Sequence, residues 1–388
     1  MKQARIKAAF IRGGTSKGVF FRAGDLPGGD GPDGARVRDA VLLAALGSPD
    51  PYARQLDGLG GGISSLSKAV IVGRSARSDA DVDFTFAQVA VDRPVVDYAG
   101  TCGNLSSAVG PFAVDEGLFE ANDGEAVVRV YNTNTDKIFH ARFEVADGEA
   151  VVTGEQPIPG VASAGARVAL EFLDPSGSMT KGLLPSGHVV DEVTTSAGER
   201  FRVSLVDATN PIVFVAAADV GITGCETPDA LEATDGFMAL MERIRRAGGV
   251  RMGMAGRPED VALAVPKIAA VARPADFVDI QGAPVAAGEM DVLARAISME
   301  RVHRALPLTL SMCLASACHV AESVANRMLA DPDRLGDLRI GNPSGVIVAG
   351  AELARSPDGG PRIERCRVIR TQRRLMEGFV LVPAGAPG

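Results

Sequence analysis

Short runs that alternate apolar and polar positions, or that are rich in β-branched residues, dominate this chain. In the first half, "RIKAAFIRGG", "GVFFRA", "KAVIVGRS", "DVDFTFAQVAVD", "EAVVRVYNTN", "KIFHARFEVADG", "EAVVTGE" and "RVALEFLD" predict strands between Gly, Asp or Asn turns. Two stretches interrupt them with helical spacing. One is "RVRDAVLLAAL", ended by Gly47 and "SPDP"; the other is "NLSSAVGPFAVDEGL", where Gly110-Pro111 predicts a kink or early break. In the second half, "RFRVSLVDATNPIVFVAAADVG" predicts two strands about a turn and "DALEATDGFMALMERIRRAGG" an amphipathic helix. "VALAVPKIAAVARP" and "DFVDIQGAPV" read as strands, and "DVLARAISMERVHRAL" and "TLSMCLASACHVAESVANRML" as helices. "SGVIVAGAEL" and "RIERCRVIRTQRRLMEGFVLVP" close the chain as strands.

The two halves echo one another. "RIKAAFIRGGTSKGVFF" and "RFRVSLVDATNPIVFV" each place a strand, a polar turn and an apolar strand in the same order. Two related domains are therefore expected, residues 1–184 and 185–371, with the last strand, 372–388, returning to the first. A length of 388 residues fits two domains of ordinary size.

Composition narrows the function classes. Hydrophobic residues make up 46% and charged residues 23%, as in a globular protein with a large interior. The net charge of −8 argues against a nucleic-acid surface, but not against an acidic ligand held by local donors. No apolar run approaches the roughly 18 residues a membrane span needs, and the N-terminal residues lack a signal-peptide pattern. Five scattered cysteines without an export signal predict free thiols and a cytoplasmic location. No CxxC pair occurs, and the four histidines have no metal-ligand spacing, so no metal is expected.

Three Gly/Ser segments carry candidate chemistry. In "LDGLGGGISSLSKAVIV" (56–72), Ser64, Ser65 and Ser67 lead to Lys68 at the start of an apolar strand. A lysine opening a strand ordinarily stays in water; burial would lower its proton affinity and make it a base. "RGGTSKG" (12–18) lacks P-loop spacing, which leaves Thr15, Ser16 and Lys17 as either a hairpin turn or carboxylate donors. In "TCGNLSSA", Cys102 stands where a strand gives way to a helix. Helix-start N–H groups favour a thiolate or a bound carboxylate there, but a lone cysteine also serves as a small core residue, and the pattern leaves both readings open. Arg273 and Arg295 are candidate carboxylate clamps. No nucleophile elbow, Ser/His/Asp triad or dinucleotide motif is present.

The stretches "FIRGGTSKGVFF", "GSPDPYARQLDGLGGGISSLSKAVIV", "VDYAGTCGNLSSAVGPFAVDEGL" and "GNPSGVIVAG" together resemble the methylaconitate isomerase (PrpF-like) family over nearly the whole chain. The resemblance implies an α+β, diaminopimelate epimerase-like fold: two pseudo-symmetric lobes, each a curved sheet around a central helix. It implies isomerisation of unsaturated di- and tricarboxylates without metal or cofactor, on a small-molecule polycarboxylate, and leaves a homodimer open. The family's catalytic lysine and cysteine match Lys68 and Cys102. Its substrate-binding loops match Ser16, Lys17, Ser64, Ser65, Ser67, Gly103, Asn104, Leu105, Thr309, Ser344 and Gly345. Two departures stand out. Related epimerases carry a second catalytic cysteine at the second central helix, where this chain has Leu308 and, one turn on, Cys313. Oxalomesaconate-type members usually have an acidic residue and Pro after the Gly pair, where this chain reads "GISSLSK", which favours aconitate-like acids over an oxalomesaconate tautomerase. A non-catalytic organic-acid binder on the same fold is the contrasting reading.

Overall fold

A computed structural model describes residues 3–29, 31–98, 100–263, 265–298, 300–334, 336–355 and 359–383. Its internal contacts divide the chain into two units, Met1–Glu171 with Ile369–Gly388, and Phe172–Val368. Among the described residues no helix is long and apolar enough to cross a membrane.

In the first unit, Gln3–Gly13 and Ser16–Arg22 form an antiparallel hairpin, and Ser16–Arg22 then pairs parallel with Lys68–Arg74. Lys68–Arg74 runs antiparallel to Val82–Val89, which is parallel to Gly124–Asn132, which is antiparallel to Lys137–Ala146. The C-terminal strand Gln372–Pro383 pairs antiparallel along Gln3–Gly13; residues 384–388 of the expected strand lie outside the described residues.

Because successive strand side chains point to opposite faces, each strand divides its residues between two helices. Val19, Phe21, Ala69, Ile71, Ala87 and Val89 join Val41, Leu42, Ala45 and Leu46 of the helix Pro32–Leu46 in one core. That helix starts on proline and ends at Gly47 in the left-handed conformation, as its sequence signals require. The alternate positions face a central helix formed by Gly103–Ser106 and Val109–Asp115, where the rings of Phe20 and Phe112 lie 5.4 Å apart. The interruption of this helix falls at Ser107–Ala108, ahead of Gly110-Pro111. Pro111 sits in the first turn of the resumed helix, where its missing N–H does no harm.

The second unit repeats this order. Arg200–Asp207, Pro211–Ala216, Lys267–Ala272, Val292–Ser298, Asp337–Asn342 and Gly345–Arg355 pair antiparallel, parallel, antiparallel, parallel and antiparallel in turn. The helix Phe237–Arg251 stands in the chain where Pro32–Leu46 stood, and the buried Leu308–His319 stands where the central helix stood. The α+β expectation and the repeat of strands around a central helix hold. Several elements differ from the sequence reading. "EAVVTGE" is a strand only at Glu149–Ala150, and "TLSMCLASACHVAESVANRML" is an α-helix only over Leu308–His319. The amphipathic helix divides into Pro228–Ala233 and Phe237–Arg251, separated at Gly236. "DVLARAISMERVHRAL", read as a helix, instead supplies the strand Val292–Ser298. Residues 291–297 are all buried, and the strand has an antiparallel neighbour in Lys267–Ala272 and a parallel one in Asp337–Asn342. Its Leu and Ala residues favour helix locally, and burial within a sheet overrides that preference.

Candidate active site

The period-two rule places the candidate chemistry on one face of the first unit. Ser16, Gly18 and Phe20 share a parity on their strand, Lys68 and Val70 on the next, and Phe86 and Gln88 on the third; all face away from the Pro32–Leu46 core. Lys68 lies directly across from Gln88 in the ladder.

Lys68 is 8% exposed. Its Nζ donates to Gln88 Oε1 at 2.6 Å and lies 4.8 Å from the centre of the Phe86 ring. Gln88 is itself fixed, because its Nε2 donates to the carbonyls of Ser64 (3.1 Å) and Ser67 (2.8 Å). Two acceptors at the amide nitrogen leave the amide oxygen turned toward Lys68. Burial lowers the proton affinity of Lys68; an ionised Cys102 would pull it back up, but desolvation dominates.

Cys102 caps the helix Gly103–Ser106 with extended backbone dihedrals and is also 8% exposed. Its thiol lies 4.0 Å from the hydroxyl of Ser16, itself 4% exposed. The first intrahelical bond runs from Ser106 N–H to Cys102 O, so the N–H groups of Gly103, Asn104 and Leu105 precede the helical ladder. The Leu105 side chain is wholly buried, leaving only its backbone for a ligand. Asn104 donates from Nδ2 to Thr15 Oγ1 at 3.0 Å, tying the helix start to the hairpin turn. Gly14 allows this approach: its φ is +50°, and a Cβ there would sit 2.3 Å from Asn104 Oδ1.

The remaining expected residues divide. Lys17 holds the serine loop by donating its N–H to Ser65 O at 3.1 Å, and its ammonium lies 5.5 Å from the Phe10 ring centre. Ser64 is exposed and Ser65 half-buried. Ser67 is different: its hydroxyl donates to Val89 O (2.8 Å) and accepts from Gln55 Nε2 (2.7 Å) in the interior, so it supports the loop rather than facing a ligand. Gln88 and Phe86 join the cluster without having been singled out in the sequence. The strand alternation of "DFTFAQV" was their only signal.

In the second unit, Arg273 is exposed just past the strand Lys267–Ala272. Arg295 is 1% exposed, and its donors serve the framework, Nε to Glu226 O at 2.8 Å and Nη1 to Ala294 O at 3.0 Å, with Phe277 beneath the guanidinium. Thr309 accepts at its carbonyl from Thr209 Oγ1, 2.8 Å away. Ser344 lies in the tight turn between paired Asn342 and Gly345 and donates its hydroxyl to Arg304 O. By hydrogen bonding, Pro307 occupies the place of Cys102. Ser311 N and Oγ bond back to Pro307 O as Ser106 N and Oγ bond back to Cys102 O. The second unit therefore offers Pro307, not Leu308, at the cap, and Cys313 is fully buried with its thiol proton held tightly. By ladder register, Lys267 stands where Lys68 does in the first unit.

Residues 3–383 match the family described as PrpF protein. The chain is 41% identical to 3-methylitaconate isomerase of Eubacterium barkeri, over 98% of each chain. It is 39% identical to 2-methyl-aconitate isomerase of Cupriavidus necator, over 99% of this chain and 98% of that one. The crystal structure of a methylitaconate-delta-isomerase superposes with a TM-score of 0.89 at 40% identity, covering 98% of this chain and 96% of the other. On sequence and fold together, this chain belongs to the PrpF family.

Proposed function

We propose that this protein interconverts unsaturated di- and tricarboxylic acids of the aconitate and methylitaconate type by moving an allylic proton between Lys68 and Cys102. It is an isomerase, in keeping with the activities named for its relatives. The observation that carries the residue assignment is the buried Lys68, held by Gln88 on the same strand face as Ser16, whose hydroxyl lies 4.0 Å from the thiol of the helix-capping Cys102.

With its proton affinity lowered, Lys68 acts as the neutral amine and removes a proton from the carbon next to the conjugated double bond. The electron pair moves into the conjugated system, giving a dienolate whose charge collects on a carboxylate oxygen. N–H groups at Gly103 and Asn104 and the hydroxyl of Ser16 are the donors for that charge. Cys102 then delivers its thiol proton at the far end of the allyl system, giving double-bond migration. Lys68 is left as ammonium and Cys102 as thiolate, and a proton passing from one to the other restores both. If the proton returns to its original carbon after rotation about the temporarily single bond, the product is the cis–trans isomer. Neither route changes the oxidation state of the acid.

Proton NMR in D2O tests this on trans-aconitate, cis-aconitate, 2-methylaconitate and oxalomesaconate. A new isomer carrying deuterium at the allylic carbon, absent with Lys68→Ala and Cys102→Ala, is the expected result. Binding of these acids without exchange or isomerisation would replace the reading with an organic-acid binding protein.

A further inference from the structure

The segment 361–375 contains six arginines. Arg362, Arg365, Arg367 and Arg374 each have carboxylates within ion-pair distance, and Arg373 is exposed. Arg370 differs from all of these. It is 6% exposed, its Nη1 donates to Ile369 O at 2.8 Å, its Nε is buried without a partner, and no carboxylate among the described residues pairs with it. The adjacent Thr371 hydroxyl is also buried without a partner.

Arg370 lies against the hairpin turn of the candidate site. A Cβ at Gly14 would stand 3.2 Å from Arg370 Cδ and 2.3 Å from Asn104 Oδ1, so the arginine stem and the helix-start asparagine flank the same glycine. Thr371 O accepts from Gly14 N–H (2.9 Å) and from Arg12 Nη1 (3.1 Å), which clamps the turn in place. The surroundings are cationic. Arg373 acts on Arg12 as a like charge, and neither Arg12 nor Arg370 has an ion-pair partner among the described residues. Burial brings the Arg370 guanidinium down to about 10, so it stays charged at neutral pH. A buried charge without a counter-charge is strongly unfavourable unless something compensates it.

We propose that Arg370 is the anchor for one carboxylate of the acid, received beside the Gly14–Thr15 turn, with Thr371 Oγ1 and the cations around the turn favouring substrates of two or three negative charges. The proposal rests on the reading of the protein as acting on carboxylic acids and adds the residue that supplies the counter-charge. An arginine kept for a ligand burdens the empty protein, whereas an arginine that holds the fold together stabilises it.

Arg370→Gln and Arg370→Lys separate these roles, using thermal unfolding with and without tricarballylate, a saturated tricarboxylate, and inorganic phosphate as the control anion. The expected result is that Arg370→Gln without ligand melts at or above the wild-type temperature and loses the stabilisation by tricarballylate, with affinity at least about 30-fold weaker. KM for the acid turned over in D2O rises similarly while kcat changes less, and Arg370→Lys falls between. A lower melting temperature for Arg370→Gln, with Arg370→Lys retaining wild-type affinity and KM, overturns the proposal in favour of a structural arginine. Equal protection by phosphate overturns the carboxylate assignment. Wild-type protein that binds tricarballylate through Arg370 but isomerises none of the acids would end the isomerase reading and leave this site standing. Turnover with unchanged KM in Arg370→Gln would do the reverse.

Discussion

Replacing Lys68 with methionine isolates the property on which the proposed chemistry depends, a lysine that gives up its proton easily in the native state. The structure sets the expectation. Lys68 is 8% exposed, and burial lowers its proton affinity from the ordinary value of 10.5. The unfolded chain keeps that ordinary value. Below the native pKa both states hold the proton, and the native state bears the full penalty of a buried ammonium. Between the native pKa and 10.5 the unfolded state binds one proton more, so Lys68 makes wild-type stability rise by up to about 1.4 kcal/mol per pH unit. Methionine fills much of the same volume without charge and removes this contribution. It also leaves Gln88 Oε1 without its donor, an offset of about 1 kcal/mol that does not vary with pH. Denaturant unfolding of both proteins at several pH values from neutral to about 10 measures the difference. The advantage of Lys68→Met should be greatest at the acid end and shrink steadily toward pH 10. Other titrating groups, including the half-buried Lys267, cancel in the comparison. Parallel stability curves would mean that Lys68 keeps an ordinary proton affinity and cannot serve as a neutral base near pH 7, which overturns its assignment.

Two further substitutions test the framework of the site. Ser67→Ala leaves the Gln55 amide and the Val89 carbonyl each short of a buried partner, so it should lower stability by about 2–4 kcal/mol while KM stays within about threefold of wild type; a large KM change with little loss of stability would make Ser67 a ligand contact. Gly14→Ala forces a side chain into a backbone of φ +50° and against Asn104 Oδ1, costing about 1–3 kcal/mol and displacing the helix start. Steady-state kinetics should show a raised KM, and unaltered kinetics would place the Gly14 turn outside the site.

Much of this molecule was determined by its sequence alone. Strands whose period-two pattern is bounded by Gly, Asp or Asn turns, such as Val82–Val89 and Lys137–Ala146, fall close to where the pattern puts them, because local chirality and alternation suffice. Lys68 and Cys102 stood out for the same reason, each beside a change of local structure. Tertiary structure decided the rest. Val292–Ser298 is a strand because both neighbouring strands bury it, although its residues favour helix. Gln88 meets Lys68 because two consecutive strands pair in one register, and Ser67 turns inward to meet Gln55 and Val89. Arg370 is one of six arginines in a short segment. What sets it apart, burial without a carboxylate, exists only once the chain has folded, since desolvation and charge pairing depend on where every other residue goes.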